Sequence, residues 1–265
     1  MTPRTLRPHE PHNPPRAQHR WISKPHLAAV LAVAAGALLL TGCAPGRISN
    51  MAGLARNAEP FTAHPAQPDK RLLIVGDSTA VGTGADTPAQ SLAGLIGKHY
   101  PRWHIDNLAA NGAKFADVAQ QLKGAGGGYD MVLVLAGGND VIRFTPLFSL
   151  RNELKQTLSL AAQKGRHVVL MPCGNVGHAP FFGPPLTWVF ARRSERLHGL
   201  VQEVAATQGA QYVRLLRPRD EDPFVIHRDT LNAADGLHPS SAGYAEWYRE
   251  LVAQGGLAPL VPATP

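Results

Sequence analysis

Cysteine is almost missing from this chain, with two in 265 residues. That excludes a disulfide-dense scaffold and a four-cysteine zinc site. Aromatic residues are sparse at 6%, and charged residues reach only 17%. With 44% hydrophobic residues, this is the composition of an ordinary globular protein, neither disordered nor repeatedly membrane-spanning. The apolar run Leu27–Leu40 (LAAVLAVAAGALLL) is too short for a comfortable membrane-crossing helix. No Gly-Lys-Ser/Thr phosphate loop is present, and Gly82-Thr83-Gly84 lacks the spacing of a dinucleotide fingerprint. No internal repeat is visible. The length suits one sizeable α/β domain.

Acidic residues are scarce at the front. Residues 1–43 hold Arg4, Arg7, Arg16, Arg20 and Lys24 against Glu10 alone, so more than half of the +7 formal charge lies there. The remainder is close to balanced, and a nucleic-acid partner is not expected. Met1–His26 is basic and rich in Pro and His, and Leu27–Leu40 has the length of a signal-peptide apolar region. Leu40-Thr41-Gly42-Cys43 then resembles a bacterial lipobox, in which the cysteine is lipidated and becomes the new N-terminus. The resemblance implies an exported protein, anchored through lipid on Cys43 and facing the periplasm. Ala44, where Asp would favour inner-membrane retention, points to the outer membrane. Cys173 would then be a free thiol. Residues 44–70, with Pro45, Pro60, Pro65 and Pro68 and no clear periodicity, read as a mostly unstructured tether. The domain is expected over 71–255, with a tail at 256–265.

From Arg71 onward, short apolar runs alternate with longer amphipathic stretches. Leu72–Val75, Trp103–Leu108, Met131–Leu135, His167–Met171 and, more weakly, Tyr212–Leu216 read as strands. Helices are expected at Pro88–His99, Phe115–Lys123, Leu147–Lys164, Thr187–Gln208 and Ser240–Ala253. Apolar runs bounded by Gly or Pro are what strands buried on both faces look like. Alternation with helices implies right-handed crossovers and a parallel sheet covered on both sides. Ligands collect at the carboxyl ends of such strands.

Four loops at those ends carry unusual residues. Gly76-Asp77-Ser78-Thr79 places a serine just after a buried strand, where a hydroxyl can stand above the sheet; serine is also a favoured helix N-cap. Asn111-Gly112 offers a glycine turn that aims an N–H outward. Gly137-Gly138-Asn139-Asp140 could be only a turn, or could present an amide to an oxyanion. Asp235-Gly236-Leu237-His238-Pro239 sets a carboxylate three residues before a histidine, where it can hold Nδ1–H and leave Nε2 as a base.

These four blocks, GDST at 76–79, Asn111-Gly112, GGND at 137–140 and DGLHP at 235–239, appear in the order of the SGNH, or GDSL, hydrolase family, which the chain resembles over about 70–255. The resemblance implies a three-layer α/β/α, flavodoxin-like sandwich with a five-stranded parallel sheet. It implies Ser78 as nucleophile, His238 as general base and then acid, and Asp235 as the group that orients His238. Ser78 N–H, Gly112 N–H and the Asn139 side chain would form the oxyanion hole. Thr79 stands where Leu is usual, and Ser240 where Asn is common.

Neither Asp77 nor Asp140 is expected in the triad; each is read as bracing its own loop. Ala80 spoils a full G-x-S-x-G, which disfavours an ordinary α/β-hydrolase elbow. The other histidines show no ligand spacing, so no metal is expected, and a hydroxyl, an oriented imidazole and three donors need no cofactor. The segment Gly174–Trp188 should overhang the site, with His178, Phe181, Phe182 and Trp188 as candidate pocket residues alongside Leu186; equally, these could simply pack the loop. The expectation is a monomeric, envelope-tethered serine esterase acting on carboxylic esters. The alternatives are a carbohydrate O-deacetylase and a non-catalytic envelope-binding lipoprotein of the same fold.

Overall fold

The computed structural model describes residues 44–261. The signal-peptide and lipobox expectation, Cys43 included, lies outside the described residues. In chain order the elements are α1 (Ala44–Asn57), β1 (Lys70–Gly76), α2 (Ser78–Val81), α3 (Leu92–His99) and β2 (Trp103–Asn107). There follow α4 (Phe115–Gly124), β3 (Tyr129–Leu135), α5 (Gly138–Ile142), α6 (Leu147–Lys164) and β4 (Gly165–Leu170). Last come α7 (Leu186–Gln208), β5 (Gln211–Tyr212), α8 (Pro223–Ile226), α9 (Arg228–Leu231) and α10 (Ser241–Ala253).

The strands form one parallel sheet in the order β2-β1-β3-β4-β5. The chain leaves β1 toward β2 on one side and returns to β3 on the other. Loops at the carboxyl ends of β1 and β3 therefore diverge, and a crevice opens between them. Side chains alternate across each strand. Leu73 and Val75 face a core with Phe115, Val118 and Leu122 of α4, Leu154 and Leu158 of α6, and Leu197 and Val201 of α7. Leu72 and Ile74 face the other layer, with Leu92 and Ile96 of α3 and Tyr244, Trp247 and Leu251 of α10. Each fully buried Leu or Ile contributes about 1.5–3 kcal/mol. The three-layer α/β/α sandwich expected from the sequence is the fold observed.

Two expectations need correction. Residues 44–70 are not an unstructured tether: 44–57 is helical, and Ala63 pairs antiparallel with Ile105 at the sheet edge. No described side chain of α1 is fully buried, so the helix has no strong apolar periodicity to read. It is held by polar contacts instead. The Arg47 guanidinium donates to Pro180 O, Asn50 Nδ2 to Ala234 O at 3.3 Å, and Asn111 Nδ2 to Ala55 O at 2.9 Å. The fifth strand is also shorter than Tyr212–Leu216. Val213 N–H still reaches Leu170 O at 3.0 Å, but Arg214 N–H is taken by Gln254 Oε1 at 2.8 Å, which ends the ladder.

Candidate active site

The strand β1 ends at Gly76, where only glycine fits: a Cβ there would lie 1.9 Å from Leu135 O on β3. Asp77 N–H then donates to that same Leu135 O at 2.9 Å. The Asp77 carboxylate caps α2, accepting from Thr79 N–H at 2.9 Å and Thr79 Oγ1 at 2.7 Å. Ser78 is thereby fixed as the first residue of α2, directly above the strand end. Burial pushes the Asp77 carboxyl up, against the pull of its Thr79 bonds.

The fourth loop arrives from the far end of the chain. Asp235 Oδ1 accepts Leu237 N–H at 2.9 Å and His238 N–H at 3.0 Å. Its Oδ2 lies 2.6 Å from His238 Nδ1. His238 Nε2 lies 2.9 Å from Ser78 Oγ. Asp235 and His238 are both buried. Burial alone would raise the Asp235 carboxyl; the bond from His238, its charge and the two backbone N–H groups outweigh it and hold the carboxyl below its ordinary value. Asp235 therefore stays ionised at neutral pH, keeps the proton on Nδ1 and leaves Nε2 as the acceptor.

Donors converge on the Ser78 side. Gly112 has φ +78, the left-handed region that suits glycine. The N–H groups of Ser78 and Gly112 bond to no backbone carbonyl among the described residues. Asn139 Nδ2 donates one hydrogen to Ala113 O at 3.2 Å, which leaves its second hydrogen free. All three residues line one cavity of about 350 Å³, together with Ser78's partner His238. Asp140 stands apart from this chemistry. Its Oδ2 accepts Phe115 N–H at 3.2 Å, and burial raises its carboxyl to about 6.

Of the four pocket candidates, the cavity takes only His178. Phe181 and Phe182 stack edge-on at 5.0 Å, and Phe182 meets Phe190 at 4.7 Å, so both rings pack the loop. Trp188 is 70% exposed on α7, and Leu186 packs against the core. Aromatic content in a loop does not say which way a ring turns. The cavity walls come instead from segments that looked bland: Met51, Ala52 and Ala55 of α1, and Phe224 of α8. Asp222 was missed as well. Its Oδ2 lies 2.7 Å from His178 Nδ1, and the two side chains are only 6% and 8% exposed.

Cys173 is a free cysteine at the cavity wall, and burial with the Asp77 and Asp140 carboxylates pushes its thiol well up, away from reactivity. His198 is structural: Nε2 meets Cys173 O at 2.8 Å, Nδ1 meets Tyr212 Oη at 2.5 Å, and burial lowers it to about 4. The histidines are not all scattered, contrary to the sequence expectation. His64, His104 and Asp106 gather at the edge strand β2 with ligand atoms within 4.8 Å, a group able to hold a metal ion. None of the three lines the cavity. His104 and Asp106 share a strand face by their two-residue spacing, while the Ala63–Ile105 bridge brings in His64, whose Nε2 lies 3.0 Å from Asp106 Oδ1. Among the described residues, no helix is long and apolar enough to cross a membrane.

A strand-end serine bonded to an oriented imidazole, above a parallel sheet covered on both faces, defines a serine hydrolase of the SGNH type. The family model of the GDSL-like lipase/acylhydrolase family matches residues 74–246, and the chain belongs to that family. Many solved structures share its fold. TesA is 24% identical, with a TM-score of 0.54 over 72% of this chain and 100% of that one. The extracellular lipase from Streptomyces rimosus is 15% identical, with a TM-score of 0.55 over 70% and 99%. Phospholipase A1 from Streptomyces albidoflavus is 16% identical, with a TM-score of 0.53 over 70% and 99%. No curated protein matches the chain.

Proposed function

We propose that the protein hydrolyses carboxylic esters through an acyl-enzyme formed on Ser78. The observation that carries this reading is the relay of 2.9 Å from Ser78 Oγ to His238 Nε2 and 2.6 Å from His238 Nδ1 to Asp235 Oδ2. Ser78 Oγ attacks the ester carbonyl carbon as its proton passes to His238 Nε2. The carbonyl oxygen becomes an oxyanion, held by Ser78 N–H, Gly112 N–H and Asn139 Nδ2–H; each such donor is typically worth about 3–4 kcal/mol in the transition state. Collapse breaks the bond to the alcohol oxygen, which leaves with the proton from His238. Water repeats the sequence on the acyl-serine, giving the free acid and restoring Ser78. The lipase and phospholipase among the similar structures are in keeping with acyl-ester substrates.

The mostly apolar cavity, walled by Met51, Ile142, Val176 and Phe224, favours an ester with a modest acyl or aromatic group. The lipobox resemblance supports export and attachment to the envelope through Cys43, facing the periplasm and most simply at the outer membrane. The decisive assay is p-nitrophenyl acetate turnover by residues 44–265, with S78A alongside. Turnover is expected to fall by about 10⁴-fold or more in S78A; equal rates would remove the serine mechanism.

A further inference from the structure

A second histidine–carboxylate pair lies in the same cavity as Ser78. His178 Nδ1 sits 2.7 Å from Asp222 Oδ2, and both side chains are almost fully buried. Asp222 is fixed in turn, because its Oδ1 accepts Phe224 N–H at 2.9 Å and caps α8. An ionised Asp222 keeps the proton of a neutral ring on Nδ1, so Nε2 presents a lone pair. That nitrogen has no hydrogen-bond partner among the described residues, and it is not among the sealed polar atoms that lack one. It therefore meets solvent, and the ring lines the cavity. The same cavity lining includes apolar Val176, Ala179, Pro223 and Phe224, with Arg217 and Glu250 paired to each other. Burying an imidazole and a carboxylate in that lining is costly unless their polar atoms are used.

The place of this pair relative to the relay decides what it meets. The turn Val176–His178 is followed by Phe181, whose N–H donates to Gly236 O at 2.8 Å. Gly236 lies between Asp235 and His238, so the turn is pinned to the loop that carries the base. The oxyanion donors Gly112 and Asn139 come from other loops. His238 must hand its proton to the leaving oxygen, so the side of the cavity beside its loop is the side of the alcohol. We propose that His178 Nε2 accepts a hydrogen bond from a free hydroxyl on the alcohol portion of the substrate. The natural substrate is thereby an ester of a polyol, either a sugar or a glycerol derivative. This inference rests on the esterase reading above and narrows it.

Three butyrate esters test it, because they share an acyl group. Propyl butyrate and glyceryl monobutyrate differ only in the hydroxyls of a three-carbon alcohol, and 6-O-butyrylglucose supplies the sugar. Wild-type kcat/KM is expected to favour a hydroxylated ester over propyl butyrate by about tenfold, the usual worth of one well-placed hydrogen bond. Whichever polyol ester is favoured more names the source. In H178F that preference should collapse to near unity, and in H178Q, whose amide oxygen can still accept, part of it should return. Thermal unfolding of both variants checks that they fold, and the wild-type comparison needs neither. No preference in the wild type, or an unchanged preference in folded H178F, would overturn the subsite. Failure to turn over any of the three esters would instead strike the esterase reading beneath it.

Discussion

Asn139 and Asp140 are neighbours with opposite duties. The amide faces the cavity, while the carboxyl turns inward to Phe115 N–H and leaves Oδ1 buried without a partner. Burial is the largest cause of its raised value of about 6, against 3.8 in an unfolded chain. Between those two pH values the folded protein holds a proton that the unfolded chain has released. The stability tied to that proton is fully present below about pH 4 and is lost as pH rises through about 6. At about 1.4 kcal/mol per pKa unit, the loss is about 3 kcal/mol. D140N carries no such proton, so its stability relative to wild type should grow by up to that amount between pH 4 and pH 7.5. Urea unfolding at the two pH values measures this, and an unchanged difference would contradict the assignment. At the same scale, GDST, Asn-Gly, GGND and DGLHP were legible because each is a local device, a cap or a glycine turn or an Asp-x-x-His reach. Asp222 was not, because nothing local marks it as the partner of a histidine 44 residues away.

Elements announced themselves where they were buried. The strands β1 and β3 read as unbroken apolar runs because helices cover both of their faces. The helix α6 falls on its expected bounds of Leu147–Lys164, with Leu150, Leu154, Leu158 and Ala161 on one buried stripe. By contrast, α1 has no buried stripe, and its place depends on carbonyls and amides offered by distant loops. Yet Met51, Ala52 and Ala55 close one side of the cavity. Removing residues 44–57 should therefore leave unfolding nearly unchanged while altering selectivity. Longer esters should lose kcat/KM relative to acetate by roughly fourfold per methylene left uncovered, from about 0.8 kcal/mol each. A chain-length series from C2 to C8, run on both forms, checks this; identical profiles would mean that the helix does not meet substrate.

Over the whole molecule, the family match at 74–246 encloses all four loops but leaves out α1 and the edge segment through His64. Those outer segments run directly on from Cys43, the proposed attachment point. C43S is expected to abolish incorporation of radiolabelled palmitate and leave the soluble turnover of p-nitrophenyl acetate unaltered; continued labelling would dismiss the lipobox. The sheet order carries the remaining lesson. Ser78 leaves the first strand and His238 precedes the last helix, 160 residues apart along the chain, yet they share one hydrogen bond. A ribosome-bound fragment that ends before Asp235 carries the hydroxyl without its imidazole. Competence is acquired only when the last segment docks, so an unfinished chain is harmless to every ester it meets.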